Sequence, residues 1–360
     1  MLPHLTPALC LPARGRPLFA WRPWAVWLLC AGFTQAVQAV SPASLDRAAF
    51  VALSSSVLKI EVIRQQGGYS LGSGVVVAPE KVVTNCHVTR DARSIVILKH
   101  GQRWPAEAQV VDALHDLCLL RVPGVRDGVV ERGRSTALDT TQAVHAIGYT
   151  GGMGIQSSEG EVMALHPHDG GNVVQSSNWF TSGASGGGLF DDQLKLVGIL
   201  TFRMRGGEAH YFSAPVEWLA PLLAPGASFT PVGPMAADQL AFWQVPIDRQ
   251  PDYLQAASLS RDRQWPQLRV VAQRWLDRAQ RDPLAWYVRG QAEEGLDRKQ
   301  EALQAFERSV SLEPRFASGW WRLGLLRLQL GLKQAAAEAL VRLEPLNAEL
   351  ARQLAQNINK

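Results

Sequence analysis

At 360 residues the chain is too long for one comfortable hydrophobic core, and 47% hydrophobic residues exclude a disordered or fibrous protein. Its 36 Lys and Arg stand against 32 Asp and Glu, a net charge of +4. Three of the basic residues, Arg14, Arg16 and Arg22, lie in the first 39 residues, which hold no acidic residue; without them the balance is 33 to 32, or +1, and gives no ground for nucleic-acid binding.

Residues 1–39 read as an export signal. A basic start precedes a short apolar core at 24–33, and Val37-Gln38-Ala39 places small residues for cleavage after Ala39. A retained membrane anchor is the alternative; no other stretch is apolar enough to span. A periplasmic or secreted location follows. Removing the signal leaves two cysteines, Cys86 and Cys118, and an even count in an exported chain suggests a disulfide.

Short apolar, β-branched runs punctuated by Gly, Pro, Asn and Asp predict strands at 57–63, 74–77, 81–84, 94–98, 117–122, 143–148, 187–190 and 196–202. Many short strands at close spacing argue for a sandwich or barrel. A helix is predicted at 216–223. Residues 224–250 carry Pro225, Gly226, Pro231, Gly233, Pro234 and Pro246 and read as a linker between a domain at 40–223 and one at 251–360.

From 251 onward Ala, Leu, Gln, Arg and Glu at helical spacing predict an all-α region. It repeats at 34 residues: Trp286 matches Trp320, Gly290 matches Gly324, Ala302 matches Ala336 and Phe306 matches Leu340. This resembles the tetratricopeptide repeat, in which small residues let two helices approach and large ones fill the gap. Pro345 comes three residues early, so a shorter turn is expected there. Residues 253–281, with Tyr253, Trp265 and Trp275, read as a degenerate preceding repeat, and 347–358 as a capping helix.

Three residues carry candidate chemistry. Ser185 sits in Gly183-Ala184-Ser185-Gly186-Gly187, a turn able to aim backbone N–H groups at a developing oxyanion. His87 closes an apolar strand in Thr84-Asn85-Cys86-His87-Val88. Asp116 opens another in His115-Asp116-Leu117-Cys118. Singly, each has an ordinary structural reading as a turn, a core histidine or a cap. In the order His, Asp, Ser, each beside a strand, they match a triad in which Ser attacks, His moves the proton and Asp fixes the His tautomer.

These segments, with Gly72-Ser73-Gly74-Val75-Val76-Val77, Leu196-Val197-Gly198-Ile199-Leu200-Thr201 and Tyr211-Phe212-Ser213-Ala214-Pro215-Val216, resemble bacterial trypsin-like serine proteases of the HtrA/DegP type over roughly 50–223. The resemblance implies a multidomain chain: an all-β, chymotrypsin-like pair of six-stranded barrels, followed here by the all-α helical-repeat domain. It implies His87 as general base, Asp116 as its orienter, Ser185 as nucleophile, and the amides of Gly183 and Ser185 as the oxyanion hole. The substrate-binding positions it implies are Trp179, six residues before the nucleophile, and Thr201-Phe202-Arg203 along the substrate backbone. Trp179 in place of Asp argues against cleavage after Arg or Lys. Arg203 either narrows the pocket entrance or points to solvent.

The chain departs from that type in carrying helical repeats where a PDZ domain is usual, and in Cys86 and Cys118. If His87 and Asp116 meet, the two cysteines converge as well, and a Cys86–Cys118 disulfide is expected. His166-Pro167-His168-Asp169 lies in a stretch that reads as a loop, so no metal and no cofactor are expected. The expected partners are a polypeptide substrate and a protein or peptide at the repeats. The competing reading is a catalytically silent, protease-like binding protein working through its repeats.

Overall fold

The computed structural model describes residues 45–151, 154–204 and 210–360; the export segment read at 1–39 lies outside them. Helix α1 (Arg47–Ser54) is capped by Asp46, whose carboxylate accepts from Ala49 N–H, and leads into the first β region. That region comprises β1 (Val57–Arg64), β2 (Tyr69–Ala78), β3 (Lys81–Asn85), the single-turn α2 (Cys86–Thr89), β4 (Ala92–Lys99), β5 (Gln102–Pro105), β6 (Ala108–Asp112) and β7 (Leu117–Arg121). All pairings are antiparallel, in the order β6-β7-β3-β2-β1-β4-β5. Ala106 N–H donates to Ile95 O, which bridges from β4 towards the start of β6 and rounds the sheet into a barrel. Leu58, Ile60, Val82, Ile95, Ile97 and Leu120 fill it. Each such side chain is worth roughly 1.5–3 kcal/mol on burial.

The second region is a closed six-stranded barrel. Strands β8 (Ala143–Tyr149), β9 (Ile155–His168), β10 (Gly171–Ser176), β11 (Gly188–Asp191), β12 (Leu196–Met204) and β13 (His210–Pro215) are ordered β10-β13-β12-β11-β8-β9. Val144, Val162, Val174, Leu189 and Leu200 pack inside. A separate cluster joins the barrels, with Val75, Val83 and Leu119 meeting Ile147, Phe190 and Ile199. The β region is thus the chymotrypsin-like pair of barrels. Helix α3 (Leu219–Leu223) follows a 3₁₀ turn at Val216–Trp218, within the span predicted for a helix.

Residues 224–250 lie against the barrels along much of their length. Strand β14 (Thr230–Pro231) pairs with β6, and the Arg121 guanidinium sits 5.0 Å from the centre of the Phe229 ring. Phe242 is buried against Trp218, His168 and Phe202, and its N–H donates to Leu114 O.

Seven helices complete the fold: α4 (Asp252–Arg261), α5 (Trp265–Arg278), α6 (Pro283–Gly295), α7 (Lys299–Leu312), α8 (Ala317–Gln329), α9 (Lys333–Leu343) and α10 (Ala348–Ile358). The 34-residue period recurs in three dimensions, since α5, α7 and α9 begin at Trp265, Lys299 and Lys333. Trp286 Nε1 donates to Gln280 O, and Trp320 Nε1 makes the same bond to Pro314 O, six residues back in each case. The early Pro345 shortens the helix and not the turn. Helix α9 has 11 residues against 14 in α7, and the connections 313–316 and 344–347 are the same length.

Candidate active site

Strand β3 delivers Asn85, and the chain turns at once into α2, which carries His87. Asp116 precedes β7, the neighbour of β3, so the ladder itself brings the two together. Asp116 holds the left-handed conformation, φ 58°. Its carbonyl accepts from Cys86 N–H at 3.1 Å and Asn85 Nδ2 at 3.0 Å. Its carboxylate is 1% exposed as a residue and grips His87 twice. Oδ1 accepts from the His87 backbone N–H at 2.8 Å, and Oδ2 lies 2.6 Å from Nδ1. A carboxylate there requires the proton on Nδ1, which leaves Nε2 as an acceptor.

Cys86 and Cys118 flank this pair and are joined, with S–S 2.04 Å and Cα atoms 4.9 Å apart. The bond spans a sequence separation of 32, for which loop entropy alone gives roughly 3–4 kcal/mol.

Ser185 stands on the turn before β11, at the seam between barrels. Gly183 and Gly186 both have positive φ, 99° and 86°. A Cβ at Gly183 would stand 2.6 Å from Tyr149 O; one at Gly186 would stand 2.1 Å from Ser73 O and 2.3 Å from Thr84 Oγ1. Ser73, on β2 of the other barrel, holds the turn from across the seam. Its N–H donates to Ser185 O, its hydroxyl donates to Gly183 O, and Tyr149 N–H donates to that hydroxyl. Among the described residues neither the Gly183 nor the Ser185 N–H donates a hydrogen bond. The Ser185 hydroxyl donates to Thr201 O at 3.4 Å, and no hydrogen bond joins it to His87 among the described residues. Such bonds are often loose before substrate binds.

Thr201, Phe202 and Arg203 follow one another on β12. Thr201 Oγ1 accepts from Asn85 Nδ2 and donates to Ile199 O, stitching β12 to the His87 strand. Phe202 stacks on Phe212 and Trp243, while Arg203 is exposed. Trp179 is 53% exposed, with its backbone N–H held by Ser158 Oγ.

Three residues at the site carry no role in the sequence reading. Ser73 and Asn85 stand inside quoted motifs, so position was the available signal. Trp243 gave none, because it lies in the stretch that reads as a linker and its partner, Asp116, is distant in sequence. Its indole Nε1 donates to Asp116 Oδ2 at 3.2 Å, and its ring meets that of His87 edge-on at 5.7 Å.

The His166–Asp169 cluster belongs to the β9–β10 hairpin, which reads as a loop in the sequence. His166 stacks on Tyr253 at 4.0 Å, and Asp169 meets His115 Nε2 at 3.2 Å. Among the described residues no group of three or more His, Cys, Asp or Glu is arranged to hold a metal ion.

Residues 72–199 match the trypsin-like peptidase domain. A probable periplasmic serine endoprotease, DegP-like, from Pseudomonas putida (strain GB-1) is 34% identical over 166 residues, 43% of this chain and 34% of that protein. The serine endoprotease DegS of Haemophilus influenzae is 27% identical over 161 residues, 42% of this chain and 47% of that one. The chain thus spans about a third to a half of the length of these curated relatives. Among solved structures, the active form of the Rv3671c protease from M. tuberculosis aligns at TM-score 0.49 and 21% identity, covering 56% of this chain and 91% of that one. The HtrA-type protease AlgW with a tripeptide aligns at TM-score 0.44 and 26% identity, covering 47% and 59%.

Proposed function

We propose that this chain is an exported serine endopeptidase, periplasmic or secreted, whose helical region binds a protein or peptide partner. The double grip of Asp116 on His87 carries the reading. Asp112 grips His115 in the same two ways, but that carboxylate is half-buried and His115 Nε2 is taken by Asp169; the Asp116 carboxylate is buried, and His87 Nε2 makes no hydrogen bond among the described residues.

In this mechanism His87 Nε2 takes the Ser185 hydroxyl proton as Oγ attacks the scissile carbonyl carbon. The oxyanion is received by the Gly183 and Ser185 amides. The proton passes to the leaving amine, the C–N bond breaks, and an acyl ester remains on Ser185. Water, deprotonated by His87, then hydrolyses that ester and returns the serine. Asp116 keeps Nδ1 protonated and stabilises the imidazolium formed in each half. The substrate backbone lies along Thr201–Arg203. No acidic residue stands at 179 to favour Arg or Lys.

The partner is proposed to enter a crevice of about 470 Å³ between the helices and the second barrel, lined by Trp275, Tyr287, Phe316, Trp321 and Arg322 among others. The period of 34, the paired helices and the repeated Trp bonds support a tetratricopeptide-like identity for these helices.

The test is labelling by a fluorophosphonate together with cleavage of an unbiased peptide library. Ser185→Ala should abolish both, and Asp116→Asn should lower kcat roughly 10⁴-fold. The competing reading, a silent protease-like binding protein, draws on the Ser185 hydroxyl being turned to Thr201 O. It is distinguished by a parent protein that takes no label and cuts nothing.

A further inference from the structure

The segment that reads as a linker ends on the catalytic pair. Asp116 Oδ2 receives two N–H groups, His87 Nδ1 at 2.6 Å and Trp243 Nε1 at 3.2 Å, while Oδ1 receives the His87 backbone N–H. Among the described residues, the indole is the one donor to this buried carboxylate outside His87. With it, the carboxylate is fixed from two directions. The ring of Trp243 is fixed in turn, stacked on Phe202 at 4.9 Å and 15° between planes, and set edge-on to His87 at 89°.

What holds Trp243 there comes from the helical region. Gln250 Nε2 donates to the carbonyls of Trp243 at 3.0 Å and Val245 at 2.9 Å, closing the turn. Gln255, on the first helix of the array and 6% exposed, donates through Nε2 to Gln250 O at 2.6 Å. The chain of bonds thus runs from α4 through Gln250 and Trp243 to Asp116 and His87. A spacer between independent domains has no use for it.

We propose that Trp243 is a positioning residue of the triad, orienting the Asp116 carboxylate through its indole N–H, and that the helical region holds it in place through Gln250. This rests on the protease reading given above. A hydrogen bond to a buried charged group matters most where geometry decides rate, because small misplacement of a catalytic group costs much.

The experiment is active-site titration with a fluorophosphonate, then steady-state kinetics per titrated site, on the full chain and two variants. Trp243→Phe keeps an aromatic ring and deletes the N–H. It should lower kcat per titrated site about tenfold, with KM within about twofold of the parent. Gln250→Ala touches neither Asp116 nor His87 and should lower kcat in the same way, about threefold. A purely structural role would instead reduce the titratable fraction and leave kcat per site unchanged; for either variant that result overturns its part of the proposal. If the parent takes no label, the protease reading fails by itself. The contact is then judged by hydrogen exchange of the Trp243 indole proton, slow in the parent and faster in Asp116→Ala if the bond is real. Equal exchange in the two overturns the contact as well.

Discussion

The seam between the barrels turns on single atoms. Gly186 brings the backbone of one barrel against Ser73 O and Thr84 Oγ1 of the other, at a φ of 86°. Gly186→Ala should cost roughly 2–6 kcal/mol, the sum of left-handed strain and overpacking against backbone that cannot move aside. Gly170→Ala is the control. It has φ 79° but nothing within 4 Å of the added carbon, so the strain of about 1–2 kcal/mol acts alone. Urea denaturation of both variants checks this; equal losses would mean that the seam contact adds nothing. The quoted motifs made this scale partly legible. Short glycine turns and a His-Cys neighbourhood have recognisable composition, and the glycines, Ser73 and Asn85 all lie inside them. Trp243 was illegible because its partner, Asp116, stands 127 positions away in sequence. No local pattern encodes such a contact.

Legibility at the level of elements followed hydrophobic patterning. Strands β1, β3, β4, β7, β8, β11 and β12, and the second half of β2, stand at apolar, β-branched runs and were readable. Strand β9 reads IQSSEGEVMALHPH, with half its length polar and a proline within it. It forms because β8 and β10 flank it in a closed barrel, a condition set by topology and not by its own residues. The turn ending this strand takes part in a pH-sensitive clasp. His115, between β6 and β7, bonds Asp112 through Nδ1 at 2.7 Å and Asp169 of the β9–β10 turn through Nε2 at 3.2 Å. Its ring packs on Trp218. Burial alone would lower its pKa, but the hydrogen bonds and charges of Asp112 and Asp169 outweigh this and hold it above the ordinary value of 6.5. A raised value means that the protonated form favours the folded state. This stabilisation is therefore full below about pH 6.5 and lost as pH rises through the higher folded value. Burial lowers the values of His145 and His168, which act in the opposite sense, so the comparison must be with a variant. The stability difference between parent and His115→Ala should shrink between pH 5.5 and 8.5 in denaturant titrations. A constant difference would show that the clasp carries no charge.

For the whole molecule, composition gives the order of a β region followed by an all-α region, as the structure has it, but carries no signal for the mechanical relation of the two. A Pro- and Gly-rich stretch reads as a spacer, yet Phe229 and Phe242 anchor it to the barrels. The helical array does not begin as a separate body either. Tyr253, from the stretch that reads as a degenerate repeat, is 8% exposed and stacks on His166 of β9; Leu254 is 2% exposed, and both belong to the cluster that also joins the barrels. A chain ending at 250 would remove both side chains at about 1.5–3 kcal/mol each, a large fraction of the 5–15 kcal/mol that typically holds a domain folded. It would also remove Gln255, the donor that fixes Gln250 beneath Trp243. The expected outcome is a chain that melts at lower temperature and reacts more slowly with a fluorophosphonate. A chain ending at 263 keeps α4 and should recover part of both, though the face that α4 turns to α5 through Ala256 and Leu259 would be left bare. Melting curves and labelling rates of the three lengths decide between the two architectures. If the chain ending at 250 matches the full protein in both, the helices are an attachment and the spacer reading stands. If the losses follow α4, the first helix of the array is structurally part of the barrel half.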